Sequence, residues 1–205
     1  MGCTVYDCFG AGQRVSQEVF QGKDWRNSPD VAEAMFAVFP VMRDLHELLY
    51  YLTEALKLPG AASYQAQLEE ARDATETLAE SGPDALRELD TTAYQQRIGP
   101  LLAEVSAAVR GKGRDLRRAD LIGKDLTGAR FGRANLRGAY LLGADLRGAD
   151  LRLADLTGAD LRGADVRGTD LATCLFLTQP QLQAAKGDSS TLIPGSLDRP
   201  GHWMA

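Results

Sequence analysis

The residues able to act as nucleophiles or metal ligands are few: Cys3, Cys8 and Cys174, with His46 and His202. A thiol becomes a catalytic nucleophile when a base such as histidine sits beside it. Asp7-Cys8, just ahead of Gly10-Ala11-Gly12, suggests a reactive thiol, but the sequence places no histidine next to it. Cys3 and Cys8 lack a second ligand pair, and their separation does not match ordinary zinc spacing. The Gly10-Ala11-Gly12 stretch lacks the Gly-Lys-Ser/Thr ending of a phosphate loop. His46 falls in an apolar helical pattern, where a core or boundary role is expected, and His202 stands near the end of the sequence. Nine Asp recur from Asp115 to Asp170, but they are spread around several faces and do not converge as catalytic carboxylates. The expectation is a protein without enzymatic activity, catalytic residue, cofactor or metal.

Those Asp belong to a repeat. Every fifth residue from Leu116 is apolar: Leu116, Leu121, Leu126, Phe131, Leu136, Leu141, Leu146, Leu151, Leu156, Leu161, Val166, Leu171 and Phe176. A small residue, most often Ala, stands two places before most of them. A period of five fits neither a helix nor a flat strand, whereas self-similarity at a fixed period marks a stacked architecture. Four units per square coil would point the large apolar residue and the small residue inward. Residues twenty apart would then stack, roughly 4.8 Å from coil to coil as between paired strands. Arg114 and Lys124 occupy small inward positions, as suits an end of the stack.

The run Ala-Asp-Leu-Arg is followed by Gly at 144–148 and 159–163, by Leu at 149–153, and recurs with Val for Leu at 164–168. With these units the chain resembles the pentapeptide-repeat proteins, and the resemblance implies a right-handed quadrilateral parallel β-helix over 112–177. The segment from Phe176 to Asp188, the Leu192-Ile193-Pro194 stretch and the terminal Arg199 to Trp203 are similar to the endings of many members. Asp7 to Gln13 and the helices after it are similar to an actinobacterial-type subgroup that joins a helical region to the repeats.

Composition is that of a soluble domain or two, 44% apolar and 25% charged. No apolar run approaches the ~20 residues that span a bilayer. The first residues lack the basic and apolar regions of a secretory signal, so a cytoplasmic, bacterial protein without membrane association is expected. Three cysteines read as structural thiols. Net charge is −5, unevenly spread: residues 112–175 carry twelve basic side chains against nine Asp, and residues 1–111 carry nine against seventeen acids. The bland expectation is Arg–Asp surface ladders that offset each other.

Residues 1–27 are expected to pack on the coils. Ser28-Pro29-Asp30 reads as a helix start with Ser28 as N-cap, and the pattern continues to Lys57 with a kink or break at Pro40. Further helices are predicted over 62–80, to Leu89, and over 92–110 with an interruption near Gly99-Pro100. The expected class is α+β: a helical bundle over 28–111, the β-helix over 112–177, and a cap and tail over 178–205. The cap is a helix over 179–186, begun by Thr178 and stopped by Gly187, which covers the open last coil.

On one face of the stack Ile122, Tyr140 and Leu142 would form an outward apolar cluster, with Arg162 beside it. Exposed apolar clusters mark interfaces. The expected role is a protein–protein interaction scaffold, and the expected partner is another protein, a second copy of this chain included. The alternative implied by the resemblance is a DNA-mimic modulator of DNA gyrase or topoisomerase IV. Arg-rich outward positions and the small number of coils argue against mimicry. Direct nucleic-acid binding is not expected, because the repeats lack a strong basic stripe and surface aromatics.

Overall fold

Each Leu of the repeat accepts a turn hydrogen bond from the small residue three places on, as Ala144 N–H to Leu141 O at 3.0 Å. The residue before the small one has φ near +60°, a conformation that favours Gly: Gly138 (62°), Gly143 (64°) and Gly148 (64°). The chain therefore turns a corner every five residues. The computed structural model describes residues 8–204, and the chain divides into two units, one up to Val105 and one from Ser106.

In the second unit the coils join through parallel bridges between residues twenty apart: Asp115 to Asn135 to Asp155 to Leu175, and likewise from Asp120, Asp125 and Arg130. Each bridge is a single residue, so among the described residues the coils contain no continuous strand. Backbone bonds run from coil to coil at every unit, for example Leu141 N–H to Asp160 O at 2.9 Å and Tyr140 N–H to Ala119 O at 2.9 Å. From Phe131 to Leu171 every fifth residue is buried, and so is each small residue between them. Leu116, Leu121 and Leu126 of the first coil are only partly buried. Arg114, at a small-residue position, lies over the Phe131 ring at 5.5 Å. At the other end Phe176 is buried with φ 60°, and Leu177 joins the apolar cluster.

The tail completes the last coil. Lys186 bridges to Asp165 and Leu192 to Asp170. Ahead of Lys186, helix α6 (Gln179–Ala184) is shorter than expected. Lys186 must stay extended, donating to Ala164 O at 2.8 Å and accepting from Val166 N–H at 2.7 Å. Gln181 reaches back with Oε1 to Thr178 N–H (2.8 Å), and its Nε2 donates to Leu156 O and Ala159 O, both at 2.9 Å. Those carbonyls belong to the last full coil, so the cap satisfies an edge that would otherwise be bare.

The first unit is helical. Cys8, Phe9 and Gly10 lead into α1 (Ala11–Arg14) and a π turn, Val15–Val19, both of which pack against α2 (Pro29–Lys57). The described part of the N-terminal segment thus joins the helices, whereas packing on the coils was expected; residues 1–7 lie outside the described residues. α2 is one unbroken helix. Pro40 is exposed, and so is Phe36, whose carbonyl loses its donor, while Val38 and Met42 on the other side are buried. Ser28 makes no side-chain cap; instead the Asp24 carboxylate accepts from Arg26 N–H and Asn27 N–H just ahead of the helix. A 3-10 turn over Pro59–Tyr64 precedes α3 (Gln65–Ala79), followed by α4 (Pro83–Glu88) and α5 (Thr91–Arg110). α5 also runs through its proline, Pro100, which is exposed. Tyr94, Ile98, Leu102 and Val105 recur at helical spacing on its buried face. Thr91 Oγ1 donates to Asp44 of α2 (2.9 Å), and Tyr94 Oη bonds Thr75 Oγ1 of α3 (2.9 Å).

The last turn of α5, Ser106 to Arg110, belongs to the second unit. Asp155, expected to face outward like the other repeat Asp, is fully buried. Its Oδ2 accepts from Ser106 Oγ (2.5 Å) and Arg137 Nη1 (3.2 Å), and its Oδ1 from Thr157 N–H (2.9 Å) and Oγ1 (2.6 Å). Arg110 donates Nε to Ser106 Oγ (2.9 Å) and Nη1 to Arg133 O (3.0 Å), and Arg133 Nη1 returns a bond to Arg110 O (2.7 Å). Burial pushes the Arg110 guanidinium below its ordinary value, and the Asp155 charge opposes that.

Candidate interaction face

In most units the Asp that ends one repeat accepts the N–H two residues later, which rigidifies the corner. Asp145 takes Arg147 N–H at 3.2 Å, Asp150 takes Arg152 N–H at 3.0 Å, and Asp160 takes Arg162 N–H at 3.1 Å. The same carboxylates hold the Arg side chains in a fork: Arg147 Nε and Nη2 lie 2.8 Å and 2.6 Å from Asp145 oxygens. Arg152, Arg162 and Arg167 repeat this on Asp150, Asp160 and Asp165. From Asp145 onward four of the six repeat Asp are paired in this way, whereas Asp155 and Asp170 have Thr157 and Ala172 two residues on.

Tyr140 breaks the ladder. It stands where Asp120 and Asp160 stand in the coils before and after, and it carries no carboxylate to pair with an Arg. Two residues on, Ile122 and Leu142 occupy the positions that hold Arg in the Asp–Arg units. Ile122 and Tyr140 are each 49% exposed and Leu142 is 38% exposed. Gly123 N–H donates to Leu142 O and Gly143 N–H to Arg162 O, both at 2.9 Å, so 122, 142 and 162 rise in one column. Arg162, committed to Asp160, forms a polar rim. All four residues expected at this face therefore share it, and the apolar three reach solvent.

The residues considered for chemistry are dispersed. Cys8 is buried, and Cys3 and Asp7 lie outside the described residues. His46 Nδ1 is 2.9 Å from Phe9 O, and its Nε2 is buried without a hydrogen-bond partner. His202 Nε2 is 3.1 Å from Ala185 O. Cys174 is buried, and burial pushes its thiol far above the ordinary range. Among the described residues no group of three or more His, Cys, Asp or Glu is placed to hold a metal, and no helix is long and apolar enough to cross a membrane.

The ladder has a pH signature. The Arg147 side-chain hydrogen bonds lower Asp145 from 3.8 to about 2, and those of Arg152 lower Asp150 likewise. A carboxylate whose folded value is depressed stabilises the fold above its unfolded value, and that stability is lost as pH falls through the folded value. Thermal melting followed by circular dichroism should hold a plateau in Tm above 3.8 and decline progressively toward about 2. A flat profile over that interval would show that the pairs add nothing to stability.

A family model for pentapeptide repeats, in eight copies, matches residues 115–152 and 134–172. YybG of Bacillus subtilis (strain 168), an uncharacterized protein, is 53% identical over 209 residues, covering 98% of this chain and 75% of YybG. Two solved structures are similar to part of the chain. The pentapeptide-repeat protein Rfr23 of the cyanobacterium Cyanothece 51142 is 30% identical, with 38% of this chain and 53% of that one aligned and a TM-score of 0.33. A pentapeptide-repeat protein of the Arabidopsis thaliana thylakoid lumen is 36% identical, over 42% of this chain and 61% of that one, with a TM-score of 0.20. The chain thus spans between half and two thirds of either solved relative.

Proposed function

We propose that the chain, which belongs to the pentapeptide-repeat family, is a non-catalytic scaffold for protein–protein interaction. Its coils form a short right-handed quadrilateral β-helix in this reading, and it works in the bacterial cytoplasm. The observation that carries the proposal is the gap in the ladder: Ile122, Tyr140 and Leu142 are exposed together where neighbouring corners carry paired ions. Paired charges hold their water and are poor anchors, whereas an aromatic ring with two aliphatic neighbours makes the centre of an interface. Arg162 supplies the rim and fixes orientation rather than affinity.

Affinity capture from bacterial lysate, with wild type and Leu142→Asp side by side, tests this. Leu142 is part-exposed, so the variant keeps its fold, checked by circular dichroism. A buried carboxylate at the centre of the contact should weaken capture tenfold or more, about 1.4 kcal/mol. An unchanged set of captured proteins removes this face as the binding site. Gyrase or topoisomerase IV subunits among those lost would name a topoisomerase as the partner, to be followed by a supercoiling assay. Neutral Asp–Arg pairs give no negative rod for DNA mimicry, so a different partner is expected. If self-association explains the face, size-exclusion chromatography with light scattering shows a dimer for wild type and a monomer for Leu142→Asp.

A further inference from the structure

At the start of the stack one Asp–Arg pair stands beside two further arginines. A cleft of about 640 Å³ opens there, lined by Asp115, Arg117, Arg118, Arg137, Gly138 and Thr157. Three guanidinium groups face one carboxylate, a surplus of two positive charges. Asp155, beneath the cleft, does not cancel that surplus, because the buried Arg110 lies in its field.

The three arginines differ in how they are held. Arg117 is forked onto Asp115, Nε to Oδ1 at 3.0 Å and Nη2 to Oδ2 at 2.8 Å. Arg137 is fixed through Nη1 alone, 3.2 Å from both Asp155 Oδ2 and Thr157 Oγ1. Its Nε and Nη2 make no hydrogen bond among the described residues. Arg118 has no side-chain partner among them, yet its backbone is held at φ 53°. The same corner is Gly138 in the second coil and Gly158 in the third, at 62° and 61°. An L side chain in this region costs about 1 kcal/mol. Arg118 Cγ lies 3.5 Å from where a Gly138 Cβ would stand, so the side chain runs along the cleft. Arg133 and Leu153 hold the same positive φ, so what sets Arg118 apart is its unpaired guanidinium beside one fixed from below, an arrangement suited to clamping an anion.

We propose that this cleft binds a phosphoryl anion of the diphosphate class, as a free ion or on a small metabolite, between Arg118 and the open edge of Arg137. Planar N–H forks match phosphate oxygens, and the volume suits a small molecule. The lining holds no aromatic ring for a base to stack on, which disfavours a nucleic-acid strand. The site is independent of the apolar face.

Isothermal titration of the full chain with inorganic pyrophosphate, orthophosphate and sulfate tests this, using wild type, Arg118→Gly and Arg118→Lys. Gly is the residue the corner favours, so Arg118→Gly should melt no lower than wild type. The expected result is saturable one-to-one binding of pyrophosphate, weaker binding of orthophosphate and sulfate, at least a tenfold loss in Arg118→Gly and a partial loss in Arg118→Lys. Equal binding by wild type and Arg118→Gly, or heats that never saturate, overturns the site. A single-stranded oligonucleotide that displaces pyrophosphate with a steep salt dependence overturns the choice of ligand in favour of a strand.

Discussion

Asp155→Ala is expected to destabilise the coil unit by about 3–5 kcal/mol, the usual cost of removing one partner from a buried ion pair. Asp155 is fully buried, and the groups around it are all donors: Ser106 Oγ, Arg137 Nη1 and the Thr157 N–H and hydroxyl. Besides breaking the ion pair with Arg137, removing the carboxylate leaves Arg110, itself only 6% exposed, without the nearby charge that supports it and the Ser106 hydroxyl without its acceptor. Neither group can recover a water contact without moving the last turn of α5. Chemical denaturation followed by tryptophan emission measures the loss, because Trp203 is buried in this unit and Trp25, already 48% exposed, can be replaced by Phe. Asp155→Asn keeps an acceptor but not the charge and should fall between wild type and Ala. A loss below about 1 kcal/mol for Ala, the scale of one ordinary hydrogen bond, would mean that Arg110 is served by solvent and that the turn is not anchored here.

Asp155 also shows where reading the sequence stops. The period of five determines which residues enter the bore, since only one register places Leu and Ala inward together, and the bridges at intervals of twenty follow from it. It carries no information on which outward column the last turn of α5 comes to cover. Asp155 looks like Asp145 or Asp165 along the chain, and Ser106 and Arg110 look like ordinary helix surface. The buried network therefore has no signature in spacing. Pro40 and Pro100 do not end their helices for a related reason: each leaves the carbonyl four residues earlier without its donor, and both prolines stand on an exposed face where water can serve that carbonyl. The exposed apolar cluster was legible because Tyr140, Ile122 and Leu142 are departures from a strict pattern. Arg118, at a corner held by Gly in the next two coils of its column, stands out only in the structure, where Arg147, Arg152, Arg162 and Arg167 are each taken by an Asp.

Trp203→Ala should cost about 3–5 kcal/mol and, beyond stability, change the solution behaviour of the chain. A stack of coils has two ends, and each offers unpaired backbone to any passing strand. Here the lower end is closed by the chain itself. Trp203 is 2% exposed, its indole Nε1 donates to Ala185 O at 3.0 Å, and it belongs to the same apolar cluster as Leu182 and Ala185. The ring lies so close to Gly187 that a Cβ there would stand 2.5 Å from two of its carbons. Gly187 is therefore glycine for lack of space, α6 having already ended at Ala184. Without the ring, the turn from Ala185 to Asp188 loses its support; the Lys186 bridge lies within it and the Leu192 bridge follows it. Urea denaturation followed by circular dichroism measures the loss, and size-exclusion chromatography shows whether the opened edge pairs with a second molecule. Gly187→Ala, which leaves the ring in place but forces it away, should reproduce most of the effect. If Trp203→Ala melts as a monomer within about 1 kcal/mol of wild type, α6 and Gln181 close the stack by themselves, and the tail is a covering rather than a support.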